Sequence, residues 1–256
     1  MRVIVILHSF LMACSFLTIL PVPTLEWKEN QAYALCPMLP VVGGVLGGFW
    51  ALLLALLSRW DASALLRGVV MALSVLSLTG GLHMDGLMDT CDALFSRRDR
   101  ETRLKILSDT HAGSFAIMGC AAVLTLQVAL FAELLSGPIP VSSRLLCAAA
   151  LVPVWSRLGM GLLLVRLPFA RSEGLARMFG AARDADLVLP FGVAAFGLEL
   201  LSLWLGAWAL GPVWLAALFL WRRVAVSVFG GITGDLLGAF AELSETALLF
   251  ALRGLS

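Results

Sequence analysis

The sequence predicts an all-α, polytopic integral membrane protein, a helical bundle with about seven to eight membrane segments. Of its 256 residues, 60% are apolar, and the mean hydropathy is +0.96. Charged residues make up 14% of the chain, whereas soluble domains carry about 25%. Together these values exclude a water-soluble globular domain.

Eight apolar segments approach the roughly 20 residues that cross a bilayer. Their composition lacks the strict alternation of β-barrel strands, so helices are expected. The segments comprise residues 3–20, 40–58, 63–82, 114–136, 143–165, 187–210, 212–230 and 236–252. In the second segment, small residues predict a close helix–helix contact; they are Gly43, Gly44, Gly47 and Gly48.

No internal repeat and no soluble domain is visible, so residues 1–256 are predicted to form a single membrane domain. The connections 83–112 and 166–186 are rich in Arg and Lys, whereas the short turns elsewhere lack them. Basic loops stay in the cytoplasm. We therefore expect both connections and the stretch 230–246 to meet at the cytoplasmic face.

The net charge of +1 and the absence of a basic tail predict no nucleic-acid partner. The five cysteines form no CxxC pair, so they indicate neither a zinc site nor a disulfide framework. The lipid bilayer is the partner that the composition implies. The oligomeric state stays open, with a homo-oligomer as one option.

Three aspartates follow the third apolar segment at spacings of four and three, namely Asp85, Asp89 and Asp92. On a helix these spacings place the side chains on one face. Crowded carboxylates repel where water is scarce, and a divalent cation among them removes the repulsion. Oxygen ligands favour Mg²⁺, Mn²⁺ or Ca²⁺. The pattern predicts a metal site with Asp109 as a further ligand; solvated or salt-bridged carboxylates are the alternative.

Arginines follow the acidic stripe directly, Arg97 and Arg98 first. An acidic metal site beside arginines suits a phosphate ester, because the metal neutralises some phosphate oxygens and guanidinium forks bind the others. The alternative for these arginines is simple anchoring at the cytoplasmic face. His83 is a candidate for orienting a carboxylate or contacting substrate, against the alternative of a surface hydrogen bond.

The glycine-rich stretch "GGITGDLLGAFAELSE", residues 230–245, predicts the start of a helix that can present N–H groups to phosphate. Asp235 and Glu242 are seven residues apart and so share one face of that helix. Asp235 is therefore a candidate catalytic residue and Glu242 a candidate for substrate binding. The alternative is a helix cap followed by a polar face.

Arg157 falls within an apolar segment, where an unpaired charge costs at least about 2.5 kcal/mol. It must therefore meet a partner, face a polar cavity or reach the interface. In the following loop, Arg171 and Glu173 could bind an anion or each other.

The run "GGLHMDGLMDTCDALFSRRDRETRLKILSD" closely resembles the signature region of the cobalamin synthase family, the adenosylcobinamide-GDP ribazoletransferases. Further blocks match in the family's order, so the resemblance covers nearly the whole chain; they are "FLTILPVP", "LPVVGGVLGG", "ARSEGLARMF" and "GGITGDLLGAFAEL". The resemblance implies a protein of the prokaryotic cytoplasmic membrane with its active site facing the cytoplasm. It would join adenosylcobinamide-GDP with α-ribazole or its 5′-phosphate, giving adenosylcobalamin or its phosphate and GMP, with Mg²⁺ required.

In that reaction a ribose hydroxyl would attack the phosphorus nearer the corrinoid. The metal would bridge the diphosphate, and one of its carboxylate ligands or Asp235 would accept the hydroxyl proton. The candidates for stabilising the departing phosphate are Arg97, Arg98, Arg157 and Arg171. Two departures from the family pattern stand out: Ala93 replaces a glycine, and His111 replaces an arginine.

Two other functions fit parts of the pattern. A CDP-alcohol phosphotransferase also uses aspartates and Mg²⁺, but its motif continues with two more aspartates where this chain has "ALFSRRDR". A cation-coupled transporter, a different class of protein, should show internal repeats. The acidic motif of this chain occurs once.

Overall fold

The computed structural model describes residues 2–23, 35–137, 140–171 and 187–255. Within these ranges the chain forms ten α-helices. They are α1 (Arg2–Leu17), α2 (Leu39–Leu57), α3 (Ala64–Leu78), α4 (Leu82–Phe95), α5 (Arg100–Ile106), α6 (Ser114–Leu134), α7 (Ser143–Arg166), α8 (Val188–Trp204), α9 (Leu210–Val224) and α10 (Gly234–Ala251). The predicted all-α membrane fold is confirmed.

Four helical segments of the described chain are long and apolar enough to cross a membrane. They are Cys36–Leu57, Ser114–Leu134, Ser143–Arg166 and Leu210–Phe229. The first includes a 3₁₀ turn before α2, and the last includes a π-helical turn after α9. Helices α3 and α4 qualify together as a fifth span. The predicted count of seven to eight membrane segments stays a prediction.

The segment predicted over residues 63–82 is not one straight helix. Helix α3 ends at Leu78, and α4 leaves it at an angle of 91°. Gly80 and Gly81 form the corner with φ values of 62° and 73°, a left-handed conformation that glycine adopts without strain. The sharp bend moves the three aspartates away from the axis of α3 and towards α10.

Helices α2 and α7 form the tightest pair in the bundle. A β-carbon at Gly43 would lie 2.6 Å from the carbonyl oxygen of Pro153, and a β-carbon at Gly47 would lie still closer to the carbonyl oxygen of Ala150. Gly44 and Gly48 face open space. Half of the predicted small-residue face therefore forms the contact with α7.

Helix α4 packs against both α6 and α10. The chain leaving α7 also runs beside the chain entering α10. The N–H of Ala170 donates to the carbonyl of Ile232 at 3.0 Å, and the N–H of Ile232 donates to the carbonyl of Pro168 at 2.8 Å. This short pairing brings the polar residues that follow it on both strands, Arg171 and Asp235, to the same end of the bundle.

Candidate active site

Helix α4 contains all three predicted aspartates, so their placement along one helix is confirmed. The side chain of Asp85 is exposed and that of Asp89 is half-buried. The charges of Asp85, Asp92 and Asp235 all act on the carboxylate of Asp89. Three acids from α4 and one from α10 thus form an acidic cluster, although they lie far apart in the sequence.

Two glycines explain how α10 comes so close to the acidic face of α4. A β-carbon at Gly86 would lie 2.7 Å from the carbonyl oxygen of Asp235. On the other helix, a β-carbon at Gly238 would lie 3.2 Å from the Cα of His83. Because neither glycine carries a side chain, the two backbones touch, and Asp235 reaches the carboxylates of α4.

Both carboxylate oxygens of Asp92 accept backbone hydrogen bonds. Oδ2 accepts from the N–H of Gly113 at 2.6 Å, and Oδ1 accepts from the N–H of Ala116 at 2.9 Å. The first N–H groups of a helix lack partners within it, and a negative charge there is favourable. Asp92 therefore caps α6 from outside and leaves few free lone pairs. Its predicted role as a metal ligand stays a prediction.

Asp109 forms its hydrogen bonds within its own loop. Its carboxylate is exposed and accepts hydrogen bonds from the ring and the backbone N–H of His111, at 2.8 Å and 3.0 Å. These bonds hold the pKa of Asp109 below its usual value. The charge of Asp109 is not among those that act on Asp89. No three acids of the described residues are arranged to hold an ion by themselves, and the predicted role of Asp109 as a further ligand stays a prediction.

The donor atoms of the acidic cluster decide which kind of metal site it can form. Over the described ranges, no three His, Cys, Asp or Glu side chains are arranged to hold an ion by themselves. Mg²⁺, however, is usually held by one or two carboxylates together with water and substrate phosphates. The carboxylates of Asp85, Asp89 and Asp235 supply the one or two oxygen ligands that this mode of binding needs.

Arg171 connects the acidic cluster to α5. Its guanidinium is partly buried, donates to the carbonyl of Leu104 at 2.5 Å and lies 4.0 Å from Asp235 Oδ2. The hydroxyl of Thr233 donates to the same oxygen at 3.3 Å. Glu173, the predicted neighbour of Arg171, lies outside the described residues.

Two further predicted anion-binding residues, Arg97 and Arg98, are exposed in the connection between α4 and α5. Arg97 has a φ of 55°, which turns the chain after the end of α4. Arg100, which the sequence did not single out, places its guanidinium against Gly230 at the start of the glycine-rich turn. The first residue of α5 therefore contacts the chain entering α10.

A cavity of about 190 Å³ lies beside the acidic cluster. Asp85 and Asp235 form part of its wall, and residues at the end of α1 form an apolar part. His83 also lines it with a side chain that is only 3% exposed. The surface-residue interpretation of His83 is therefore wrong. Its Nε2 is buried and has no hydrogen-bond partner among the described residues.

A separate polar group is buried between α6, α7 and α10. Arg157, 1% exposed, forms an ion pair with Glu245, so the predicted need for a partner is confirmed. Glu242 accepts a hydrogen bond from Gln127 Nε2 at 2.9 Å. Neither Arg157 nor Glu242 lines the cavity, and their predicted contacts with substrate stay predictions. Gln127 and Glu245 were missed, although polar residues inside apolar segments were the available signal.

The fold and the acidic cluster define an all-helical membrane protein with an acidic cavity between α4 and α10. A sequence model of the cobalamin-5-phosphate synthase family matches residues 9–253, so the chain belongs to this family. It is 32% identical over 243 residues to the adenosylcobinamide-GDP ribazoletransferase of Escherichia coli O45:K1 (strain S88 / ExPEC), a match that covers 93% of this chain and 96% of that protein. No solved structure matches the chain.

Proposed function

We propose that this protein is an adenosylcobinamide-GDP ribazoletransferase. It joins adenosylcobinamide-GDP with α-ribazole or α-ribazole 5′-phosphate, and it releases GMP in the final assembly of the nucleotide loop of vitamin B12. The observation that carries the proposal is the 32% identity, over 93% of the chain, to a relative named for this activity. The acidic cluster beside a cavity supports it, because phosphoryl transfer needs charge neutralisation and positioning.

We infer that the cofactor is Mg²⁺. One or two of the carboxylates of Asp85, Asp89 and Asp235 would hold it, together with phosphate oxygens of the substrate. When bound, the ion would neutralise charge on the diphosphate and on the leaving phosphate. Asp92 would fix α6 against α4 and so keep the acidic face in position.

The remaining chemistry belongs to side chains around the cavity. The attacking ribose hydroxyl forms a bond to the phosphorus nearer the corrinoid, and the bond from that phosphorus to the GMP oxygen breaks. Asp89 or Asp235 accepts the hydroxyl proton, since each is a partly buried carboxylate of the acidic cluster. Arg171 would bind the departing phosphate, and His83 Nε2 would donate to or accept from the substrate.

We also propose that the acidic cluster faces the cytoplasm from the cytoplasmic membrane of a prokaryote. Basic residues gather at the same end of the bundle, in the connection and the short helix that follow α4; they are Arg97, Arg98, Arg100, Arg103 and Lys105. Such residues are retained on the cytoplasmic side.

The activity is tested on membranes that contain the protein, supplied with adenosylcobinamide-GDP, α-ribazole and Mg²⁺. We expect a cobalamin and GMP, and we expect Asp89→Asn and Asp235→Asn to lower turnover by at least about 100-fold. Asp61→Asn is the matched control, because Asp61 is exposed between α2 and α3. Full turnover by Asp89→Asn, or in excess chelator, would refute the metal site. Product from CDP-diacylglycerol and an alcohol, or ion flux into liposomes, would favour the two other functions instead.

A further inference from the structure

A second and larger cavity lies between the C-terminal ends of α7 and α9. Its volume is about 470 Å³, within the roughly 300–1,000 Å³ typical of small-molecule sites. Its lining consists of two arginines and four leucines: Leu162, Leu163, Arg166, Leu167, Leu218 and Arg222. None of these residues belongs to the acidic cluster or to its cavity.

The two arginines give this cavity a strong positive charge. Arg166 lies in the last turn of α7, and Arg222 lies in the last turn of α9. Each is favourable beside the negative end of its own helix dipole, but that does not explain why both face one cavity. In the part of the chain that the structure describes, neither forms an ion pair. Like charges repel across the cavity, and a phosphate between them would accept hydrogen bonds from both.

The rest of the cavity is apolar and adjoins the membrane-facing surface of α9. Leu215, Phe219 and Leu220 on this helix are 59%, 50% and 61% exposed. At the opposite end of the α8–α9 pair, Trp204 and Trp208 are 78% and 67% exposed, as is usual for tryptophans at a membrane interface. The arginines therefore lie at the other interface, where headgroups meet hydrocarbon.

We propose that this cavity binds an anionic phospholipid of the surrounding bilayer. The lipid phosphate lies between Arg166 and Arg222, and the upper part of an acyl chain runs along the leucines. Basic pockets between membrane helices are suited to such headgroups. A free phosphate would use the arginines alone and leave the leucine wall without a partner, so the combined lining favours the lipid.

The lipid also has a consequence for the acidic cluster. Arg166 immediately precedes the strand that pairs with Ile232, and Arg222 precedes the turn that leads to Ile232. Neutralising the two guanidiniums draws the ends of α7 and α9 together and steadies the paired chains that position Arg171 and Asp235. This step rests on the proposed function, whereas the lipid site itself does not.

The site is tested by titrating the protein, in neutral detergent, with phosphatidylglycerol or phosphatidylcholine and by counting bound lipids with native mass spectrometry. We expect one phosphatidylglycerol to bind tightly and phosphatidylcholine to bind weakly. The double variant Arg166→Gln/Arg222→Gln should weaken phosphatidylglycerol binding by about 30-fold. The control Arg59→Gln/Arg223→Gln removes the same charge outside the cavity and should bind as the parent protein does. Equal binding by both double variants, or equal binding of both lipids, overturns the proposal.

A second variant separates a lipid from a free anion and does not depend on losing the arginines. Leu218→Phe fills the leucine wall and should weaken phosphatidylglycerol binding while both guanidiniums remain. Millimolar inorganic phosphate should not displace the lipid. Displacement by phosphate, together with unchanged binding by Leu218→Phe, would identify a simple anion site and reject the lipid. Turnover in nanodiscs with and without phosphatidylglycerol then tests whether the bound lipid affects the acidic cluster. Equal turnover would reject that effect and leave the lipid site itself in place.

Discussion

The carboxylate of Asp92 and the backbone N–H of Gly113 are joined by a hydrogen bond of 2.6 Å, which ties α4 to the first turn of α6. The contact leaves no room for a side chain at residue 113, because a β-carbon there would lie 2.7 Å from Asp92 Oδ1. An acidic residue that looks like one of three equivalent ligands in the sequence thus has a second, structural function.

We expect Gly113→Ala and Asp92→Asn each to lower the free energy of unfolding by about 1–2 kcal/mol, because each weakens the cap of α6. The measurement is unfolding in detergent micelles. Gly44→Ala is the control, since nothing lies within 4 Å of a β-carbon at that position. Unchanged stability of Asp92→Asn, combined with a higher Mg²⁺ requirement, would instead make Asp92 a metal ligand.

The contact between α4 and α10 predicts the behaviour of Gly86→Ala. The new methyl group would meet the backbone of Asp235 and push the two halves of the acidic cluster apart. Misplacement by about 1 Å can lower turnover by about 100-fold, so we expect a large loss in kcat/KM and weaker activation by Mg²⁺. Gly48→Ala, which meets nothing within 4 Å, should match the parent enzyme. Wild-type kinetics for Gly86→Ala would show that this contact does not position Asp235.

The buried pair Arg157–Glu245 predicts that the effects of the two single substitutions on the free energy of unfolding do not add in the double variant. Arg157→Met or Glu245→Leu alone breaks the buried pair and should destabilise the protein by about 3–5 kcal/mol. The double variant replaces both charges with apolar groups and should recover most of that loss. The measurement is the free energy of unfolding of the parent protein, both single variants and the double variant in one detergent. Additive losses would mean that the two side chains do not stabilise each other.

The contacts of Arg171 predict that the forked shape of its guanidinium matters for activity, and not only its charge. Its two terminal nitrogens face different partners, the carbonyl of Leu104 and the carboxylate of Asp235. A lysine keeps the charge but not the fork. We expect Arg171→Lys to lower kcat/KM by about tenfold, roughly the value of one charge-assisted hydrogen bond. Arg59→Lys, whose guanidinium contacts the carbonyl of Ala55, is the control. Unchanged kcat/KM for Arg171→Lys would show that Arg171 contributes only its positive charge.

The proposed orientation is checked by labelling single thiols. Ser108→Cys, beside α5, should react with a membrane-impermeant maleimide only after cells are permeabilised, because it lies at the acidic end. Ser136→Cys, after α6, should react in intact cells. Both are introduced into a variant that lacks Cys147, the exposed native cysteine. The reverse pattern would place the acidic cluster outside the cytoplasm.

Helical periodicity alone was enough to place Asp85, Asp89 and Asp92 on one helix. The cost of an isolated charge in lipid was enough to predict that Arg157 meets a partner, faces a polar cavity or reaches the interface. The partners themselves were not predictable, because Glu245 and Gly113 are chosen by how helices pack and not by local spacing. The bend at Gly80 and Gly81 was visible as two adjacent glycines, but the apolar residues around them suggested a continuous segment. His83 was misjudged because burial depends on α10, which the sequence does not place beside it.

The contact between α4 and Asp235 can form only after the ribosome has synthesised α10. Residues that line the acidic cavity come from α1, α4, α7 and α10, and α10 is made after the other three helices. Until the ribosome has produced α10, α4 can enter the membrane but has no acid opposite it and no wall on that side of the cavity. A chain that stops before α10 therefore lacks both Asp235 and that wall, and we expect it to be inactive.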